Sequence, residues 1–469
     1  MQQTQLWTLL STLTRRELRG GRQFLALDAV NRRADVRALY TALVDRVLKQ
    51  TVPGREAIFA EVFPDTPYDD QAFRLVQSYL YKCLERYLVW LECERDRDVA
   101  DPLLLRAYRR RRLDGHLQRT LKRQVRADQK RPVANAETLI ARHLRERERA
   151  TLLAHEGRAR ELNLQEVENT LDRAFWAYKL RQACFTRSHE SVFDVRYEPR
   201  HLESILTAAA TDETPAVATY YACYTALFGA PSDAAFRRFR SLLQAHAARF
   251  PAAEARSLYL LALNYCIRRI NANDTPYLRE AFTLYAAGIE TGALLEHGRL
   301  SRFTFNNAVG IAIRLGELDW TTHFLDTQAE ALEPDYQRAT VAFNRARLTF
   351  ARRDYAAALD HLQATESKDP IHAMNARILR LKIYYETDDR YLFDHQLKTT
   401  RQFVRRHARS YHHALWRNIL QYLKKLYALN PYDRAARIAL REQVAAEPVL
   451  MEREWLLGVL ANAEAPGLE

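Results

Sequence analysis

Four consecutive arginines, Arg109, Arg110, Arg111 and Arg112, followed by Arg119, Lys122, Arg123 and Arg126, concentrate positive charge in a 469-residue chain of formal net charge +13. Residues 101 to 162 hold 17 Lys and Arg against 8 Asp and Glu, a local excess of +9. Such a cluster attracts phosphates, acidic protein segments or anionic lipid by long-range steering and counterion release. The plainer alternative is a solvated helix pair laced with ion pairs, in which Glu146, Glu148 and Glu156 offset part of the charge. Tyr108 is the sole aromatic residue between 101 and 162, so base stacking has little to work with here.

Other chemistry is thinly represented. No phosphate-cradling GxxxxGK[ST], no HExxH and no GxSxG occurs, and 13 glycines leave little scope for a nucleotide loop. No catalytic residue and no cofactor is therefore expected, and the chain reads as a non-enzyme. His407, His412 and His413 stand close together, but adjacent histidines point about 100° apart on a helix, and the i, i+4 spacing that two metal ligands need is missing. No metal site is expected. Cys83, Cys93, Cys184, Cys223 and Cys266 are widely spaced and read as reduced core thiols of a cytoplasmic protein.

The elements that would position these groups are helical. Hydrophobic residues make up 48% of the chain, only 13 Gly and 15 Pro interrupt it, and Leu, Ala and Arg abound. The opening MQQTQLWTLLSTLTRRELRGG lacks the layout of a secretory signal, and no apolar run reaches the roughly 18 residues of a membrane span, so no membrane association is expected.

From Leu6 to Trp90 the pattern predicts four or five helices. In the last, Phe73, Val76, Leu80, Leu84, Tyr87, Leu88 and Leu91 recur at three- and four-residue steps along one face. Gly20-Gly21 predicts a kink or break. Leu113, Leu117, Leu121 and Val125 step by four as the apolar stripe of one helix, with the basic residues on its remaining faces. A partner helix is expected from about Ala136 to Gly157, after Pro132. Asn163 with Glu166 has the form of an N-terminal cap opening the next helix, and Thr275-Pro276 that of another.

Beyond residue 300 the pattern repeats. ATVAFNRARLTFARRDYAAALDHLQATESKDP, Ala339 to Pro370, places Ala346 and Ala358 where two helices meet, Asp354-Tyr355 at the turn and Pro370 at the close. Phe305 to Pro334 has the same order, with Ala308 and a turn at Gly316-Glu317-Leu318. Met374 to His407 is a looser copy with Arg380 at the small position and a turn at Asp388-Asp389. Of the steps 346 − 308 = 38 and 380 − 346 = 34, the shorter equals the period of about 34 residues of tetratricopeptide (TPR) units and the longer requires a loop insertion. The unit resembles a TPR hairpin. The chain also resembles an uncharacterised bacterial family of all-helical proteins with C-terminal TPR-like repeats, through LTRRELRGGRQFLAL, LDRAFWAYKLRQAC, LALNYCIRRIN and LSRFTFNNAVGIAIRLGELDW. That resemblance implies a fold and no catalytic residue.

The expected architecture is an all-α solenoid of antiparallel helical hairpins: an N-terminal helical module (1–100), a basic hairpin (101–162), divergent hairpins (163–300), and TPR-like repeats with capping helices (301–469). In TPR-like units the first helices line the concave face, and here they carry Asn306, Arg314, Asn344, Arg347 and Arg377. Such a groove suits an acidic peptide or protein partner. The expected function is a non-catalytic protein-binding scaffold, with nucleic acid or acidic protein held by the basic hairpin as the alternative.

Overall fold

A computed structural model describes residues 4–52, 54–130, 135–155, 161–191, 193–272, 274–365, 369–408, 412–430 and 432–462. The boundaries expected at Pro132 and Gly157, and with them Glu156, lie outside these residues. Among the described residues there are twenty-three α-helices and no strand, only two isolated β-bridges. The chain folds into two compact units, one of Met1–Gln182 with His201–Val217, the other of Ala183–Arg200 with Ala218–Glu469.

The first unit contains α1 (Gln5–Thr12), α2 (Arg15–Leu25), α3 (Ala34–Leu48), α4 (Arg55–Val62), α5 (Asp70–Arg95), α6 (Arg97–Arg110), α7 (Asp114–Asp128), α8 (Ala136–His155), most of α9 (Leu164–Glu190), and α10 (Leu202–Ala209). Asp69 starts α5 by accepting from Gln71 N at 2.8 Å and Ala72 N at 3.1 Å. Its apolar face then buries Phe73, Val76, Leu80, Leu84 and Tyr87 against α2 and α3. Each large side chain so buried contributes about 1.5–3 kcal/mol.

Gly20 and Gly21 do not break α2, which runs without interruption through Arg15–Leu25. The glycines serve a different purpose. Tyr87 Oη donates to Glu17 O and Tyr40 Oη to Leu18 O, both at 2.7 Å. A Cβ on Gly20 would lie 2.5 Å from Tyr87 Oη, and one on Gly21 2.4 Å from Tyr40 Oη. Bare backbone is what lets two phenols reach the helix carbonyls.

Three local expectations change. Arg109 to Arg112 are not on the other faces of the helix that carries Leu117 and Leu121: Arg109 and Arg110 end α6, and Arg111 and Arg112 form the turn before α7, with Arg112 at φ 54°. Asn163 does not cap α9 with its side chain; its Nδ2 donates to Glu146 O (3.1 Å) and Glu146 Oε2 (3.0 Å) on α8, while Glu166 pairs with Arg142 at 2.8 Å. Thr275 has helical backbone and makes no side-chain cap, although Pro276 does begin the next helix.

The second unit holds the end of α9, the body of α11 (Pro215–Phe228), α12 (Asp233–His246), α13 (Ala252–Asn271), α14 (Pro276–Glu290), α15 (Arg302–Arg314), α16 (Leu318–Thr327), α17 (Pro334–Ala351), α18 (Tyr355–Gln363), α19 (Pro370–Glu386), α20 (Arg390–Arg406), α21 (His413–Ala428), α22 (Arg434–Ala446) and α23 (Arg453–Asn462). Consecutive helices from α12 to α23 pack on one another. Pro334 and Pro370 occupy the first turns of α17 and α19, where a missing N–H costs nothing.

The three expected turns share one backbone device. Gly316, Arg353 and Asp388 take left-handed φ values of 76°, 60° and 51°. Directly after, Asp354 and Asp389 cap α18 and α20 by accepting from Ala357 N and Leu392 N, each at 3.0 Å. Ala308, Ala346 and Ala358 are fully buried at the hairpin contacts. At the divergent position, Arg380 Nη2 donates to Leu362 O at 2.7 Å, joining Thr365 Oγ1, which donates to the same carbonyl at 2.6 Å, at the end of α18.

Candidate functional site

The helices α15, α17 and α19 each open a hairpin and lie side by side, α15 on α17 and α17 on α19. Their shared face is not flat. A cleft of about 380 Å³ is lined by Asn306, Gly310 and Arg314 from α15, Arg347 from α17 and Lys382 from α19, with Glu452 arriving from the segment before α23. A second hollow of about 220 Å³ shares Asn306, Gly310, Arg314 and Arg347 and extends to Ile267 and Asn271 on α13.

Of the residues expected to line a groove, Asn306, Arg314 and Arg347 do so. Asn344 lies beneath, fully buried, donating to Asn306 Oδ1 at 2.6 Å and to Thr340 O at 2.9 Å. Arg347 Nη1 donates to Asn306 O at 3.0 Å and Asn344 Oδ1 at 3.1 Å. Three polar residues from two helices therefore form one hydrogen-bonded cluster. Gly310 makes room for it, since a Cβ there would come within 2.4 Å of Arg347 Nη2. Arg377 is not among the lining residues; its guanidinium lies 5.0 Å from the centre of the Phe403 ring on α20.

The electrostatics of the cleft are set by its own chain. Lys382, 8% exposed, donates from Nζ to Glu452 Oε2 at 2.6 Å. Arg314 holds Glu454 through two hydrogen bonds, Nε to Oε2 at 2.8 Å and Nη2 to Oε1. Desolvation pushes the Glu452 carboxyl up, but Lys382, then Arg347 and Arg314, bring it below its ordinary value. With 36% of that side chain exposed, solvent screens the pairing. Burial opposes the Arg347 charge and lowers its pKa, Glu452 supports the charge, and Arg314 works against it. Among the described residues Arg347 makes no ion pair of its own. Three cations thus meet two carboxylates, both supplied by the final helical segment.

Lys382 and Glu452 were not anticipated from the sequence. The signal for Lys382 was a single cation inside the apolar run ILRLKIYY; for Glu452, 70 positions further on, none exists, because only folding brings the two together.

In the basic segment, Arg110, Arg111, Arg112, Arg119, Lys122, Arg123 and Arg126 are exposed. Arg109 is taken up by Glu148 at 2.6 Å, and Arg145 by Asp128 at 2.5 Å. Arg111 and Arg119 donate to the carbonyls of Ala107 and Gly115 at 3.2 and 3.1 Å. Among the described residues no three His, Cys, Asp or Glu side chains converge as a metal would require. His407 Nδ1 donates to Phe403 O at 2.9 Å and His412 stacks on Trp416. Cys83, Cys184, Cys223 and Cys266 are buried and Cys93 is half-buried, all unbridged. Burial pushes the Cys83, Cys223 and Cys266 thiols up, away from the reactive thiolate. No described helix is long and apolar enough to cross a membrane.

No protein-family model, no curated protein and no solved structure matches the chain significantly.

Proposed function

We propose that the chain is a non-catalytic, cytoplasmic protein-binding scaffold. In this reading its hairpins continue as a TPR-like solenoid, and the face formed by α15, α17 and α19 receives an acidic segment of a partner protein. The observation that carries the reading is Arg347: fixed by Asn306 and Asn344 on the wall of a cleft, and left without a carboxylate while Lys382 and Arg314 each hold one. A guanidinium whose geometry is preset loses little freedom when it receives an anion. The carboxylates of Glu452 and Glu454 model in cis the way a partner's acidic residues would sit.

The test is fluorescence anisotropy of a labelled glutamate-rich peptide on the full chain. Replacing the internal competitors with Glu452→Gln and Glu454→Gln should tighten binding by about fivefold or more, as expected when a larger fraction of the protein is competent. Arg347→Ala should abolish it. Equal binding by all three proteins would refute the reading. The alternative, polyanion binding through the segment containing Arg109 to Arg112 and Lys122, is supported by the exposure of seven of its cations.

A further inference from the structure

Between His395 and Tyr432 the chain contains eight Lys and Arg, four His and no Asp or Glu. The stretch folds into α20 and α21, and a cleft of about 630 Å³ opens between them. Arg401 and Arg405 line it from α20; His413, Arg417, Lys424 and Lys425 line it from α21. None of the described residues lining it is acidic. Spacings of 4 and 7–8 along α21 keep its cations on one side of the helix.

These charges are unspent. Among the described residues Arg401, Arg405, Arg417 and Lys424 make no ion pair, and Lys425 donates only to the neutral Gln443 Oε1 at 2.7 Å. Like charges gathered without a counter-charge repel one another, so the arrangement favours an anion from outside.

The floor decides what kind of anion. Val404 and Leu420 line the cleft but are only 5% and 3% exposed. They offer an incoming side chain almost nothing to bury, which counts against an amphipathic acidic peptide anchored by apolar residues. Among the described residues no Phe, Tyr or Trp lines the cleft, so they offer no platform for a base. The cations of α21 spread over the twelve steps from His413 to Lys425, about 18 Å at about 1.5 Å per residue. Duplex nucleic acid presents one charge per roughly 1.7 Å, or about ten over that length. A compact phosphorylated headgroup does not extend so far.

We infer that the cleft between α20 and α21 binds the phosphate backbone of a nucleic acid, without reading its sequence. This site is separate from the acidic-peptide groove and from the basic segment of the first unit.

The experiment measures anisotropy of labelled 20-nucleotide RNA and 20-base-pair DNA, each of mixed sequence, with the full-length protein over a salt series. Binding is expected for at least one probe, unchanged when its sequence is shuffled, and the two arms distinguish RNA from DNA. The variant carrying Arg405→Gln, Arg417→Gln and Lys424→Gln, all at exposed positions, should bind at least about tenfold more weakly, with a log–log salt slope shallower by about 2 to 3, as losing three phosphate contacts requires. Arg405→Lys with Arg417→Lys should retain binding. Arg237→Gln with Arg238→Gln, exposed cations of α12 outside both candidate sites, should leave it unchanged, and a first-unit variant, Arg110→Gln with Lys122→Gln and Arg123→Gln, tells the two candidate sites apart. The inference is overturned if neither probe binds, if the cleft variant binds like the parent at equal helix content, if only the first-unit variant loses binding, or if polyglutamate of matched charge competes as well as the nucleic acid.

Discussion

Asn344 is the residue on which the cleft of α15, α17 and α19 rests. It is fully buried, and its amide joins Asn306, Thr340 and Arg347. Truncating it leaves the Arg347 guanidinium without one acceptor and removes a buried donor pair, so Asn344→Ala should destabilise the protein by about 1–3 kcal/mol in urea denaturation. Arg347→Ala, which deletes the charge but leaves the two asparagines bonded to each other, should cost less. The reverse order would mean that the cluster matters for Arg347 itself rather than for the packing of α15 on α17. Such side chains were only half legible in the sequence. Asn306 and Arg347 could be placed on first helices because the repeat spacing is local. Arg377 has the same credentials, yet it stacks on Phe403, since its direction depends on how α19 turns against α20.

Helices reveal the same divide between local and distant causes. Turn positions were readable at Gly316, Asp354 and Asp389 because capping and left-handed backbone are settled within a few residues. The Gly20-Gly21 pair was misread as a break because its explanation comes from Tyr40, 19 positions beyond Gly21, and Tyr87, 67 positions beyond Gly20. In an ordinary helix interior, Gly→Ala gains about 1 kcal/mol. At Gly21 the new methyl would meet the phenol of a Tyr40 that is 1% exposed and has no room to retreat. Overpacking of about 1–3 kcal/mol should then prevail. Gly21→Ala is expected to lower the melting temperature, whereas Gly458→Ala in α23, with nothing within 4 Å of the new Cβ, should raise it or leave it level. Equal responses at the two sites would remove the role given to the tyrosines. The cleft of α20 and α21 escaped notice for another reason: its cations are scattered over two helices, with no run as conspicuous as Arg109 to Arg112.

On the scale of the molecule, the repeats from residue 301 onward are continuous with the helices before them. Arg279 Nη1 donates to Glu317 Oε1 at 2.6 Å, Phe282 meets Trp320 edge-on at 5.0 Å, and α14 packs on α15. A fragment of 301–469 loses that neighbour and exposes apolar surface. It should aggregate or melt without cooperativity in calorimetry, while 183–469, which contains the whole second unit, should stay soluble and melt sharply. A well-behaved 301–469 fragment would make the repeats an independent domain. The backbone bears on the balance between topology and robustness. Gln50, Asp65, Arg112, His201, His297, Arg353, Asp388 and Glu452 all occupy the left-handed region, which costs a residue with a Cβ about 1–2 kcal/mol. Corners so widely dispersed act almost independently. The protein therefore forgoes several degrees of heat tolerance to keep its reversals of direction where they are, and, Glu452 of the α15–α17–α19 cleft excepted, a thermally hardened descendant is reachable through those corners without touching either proposed binding face.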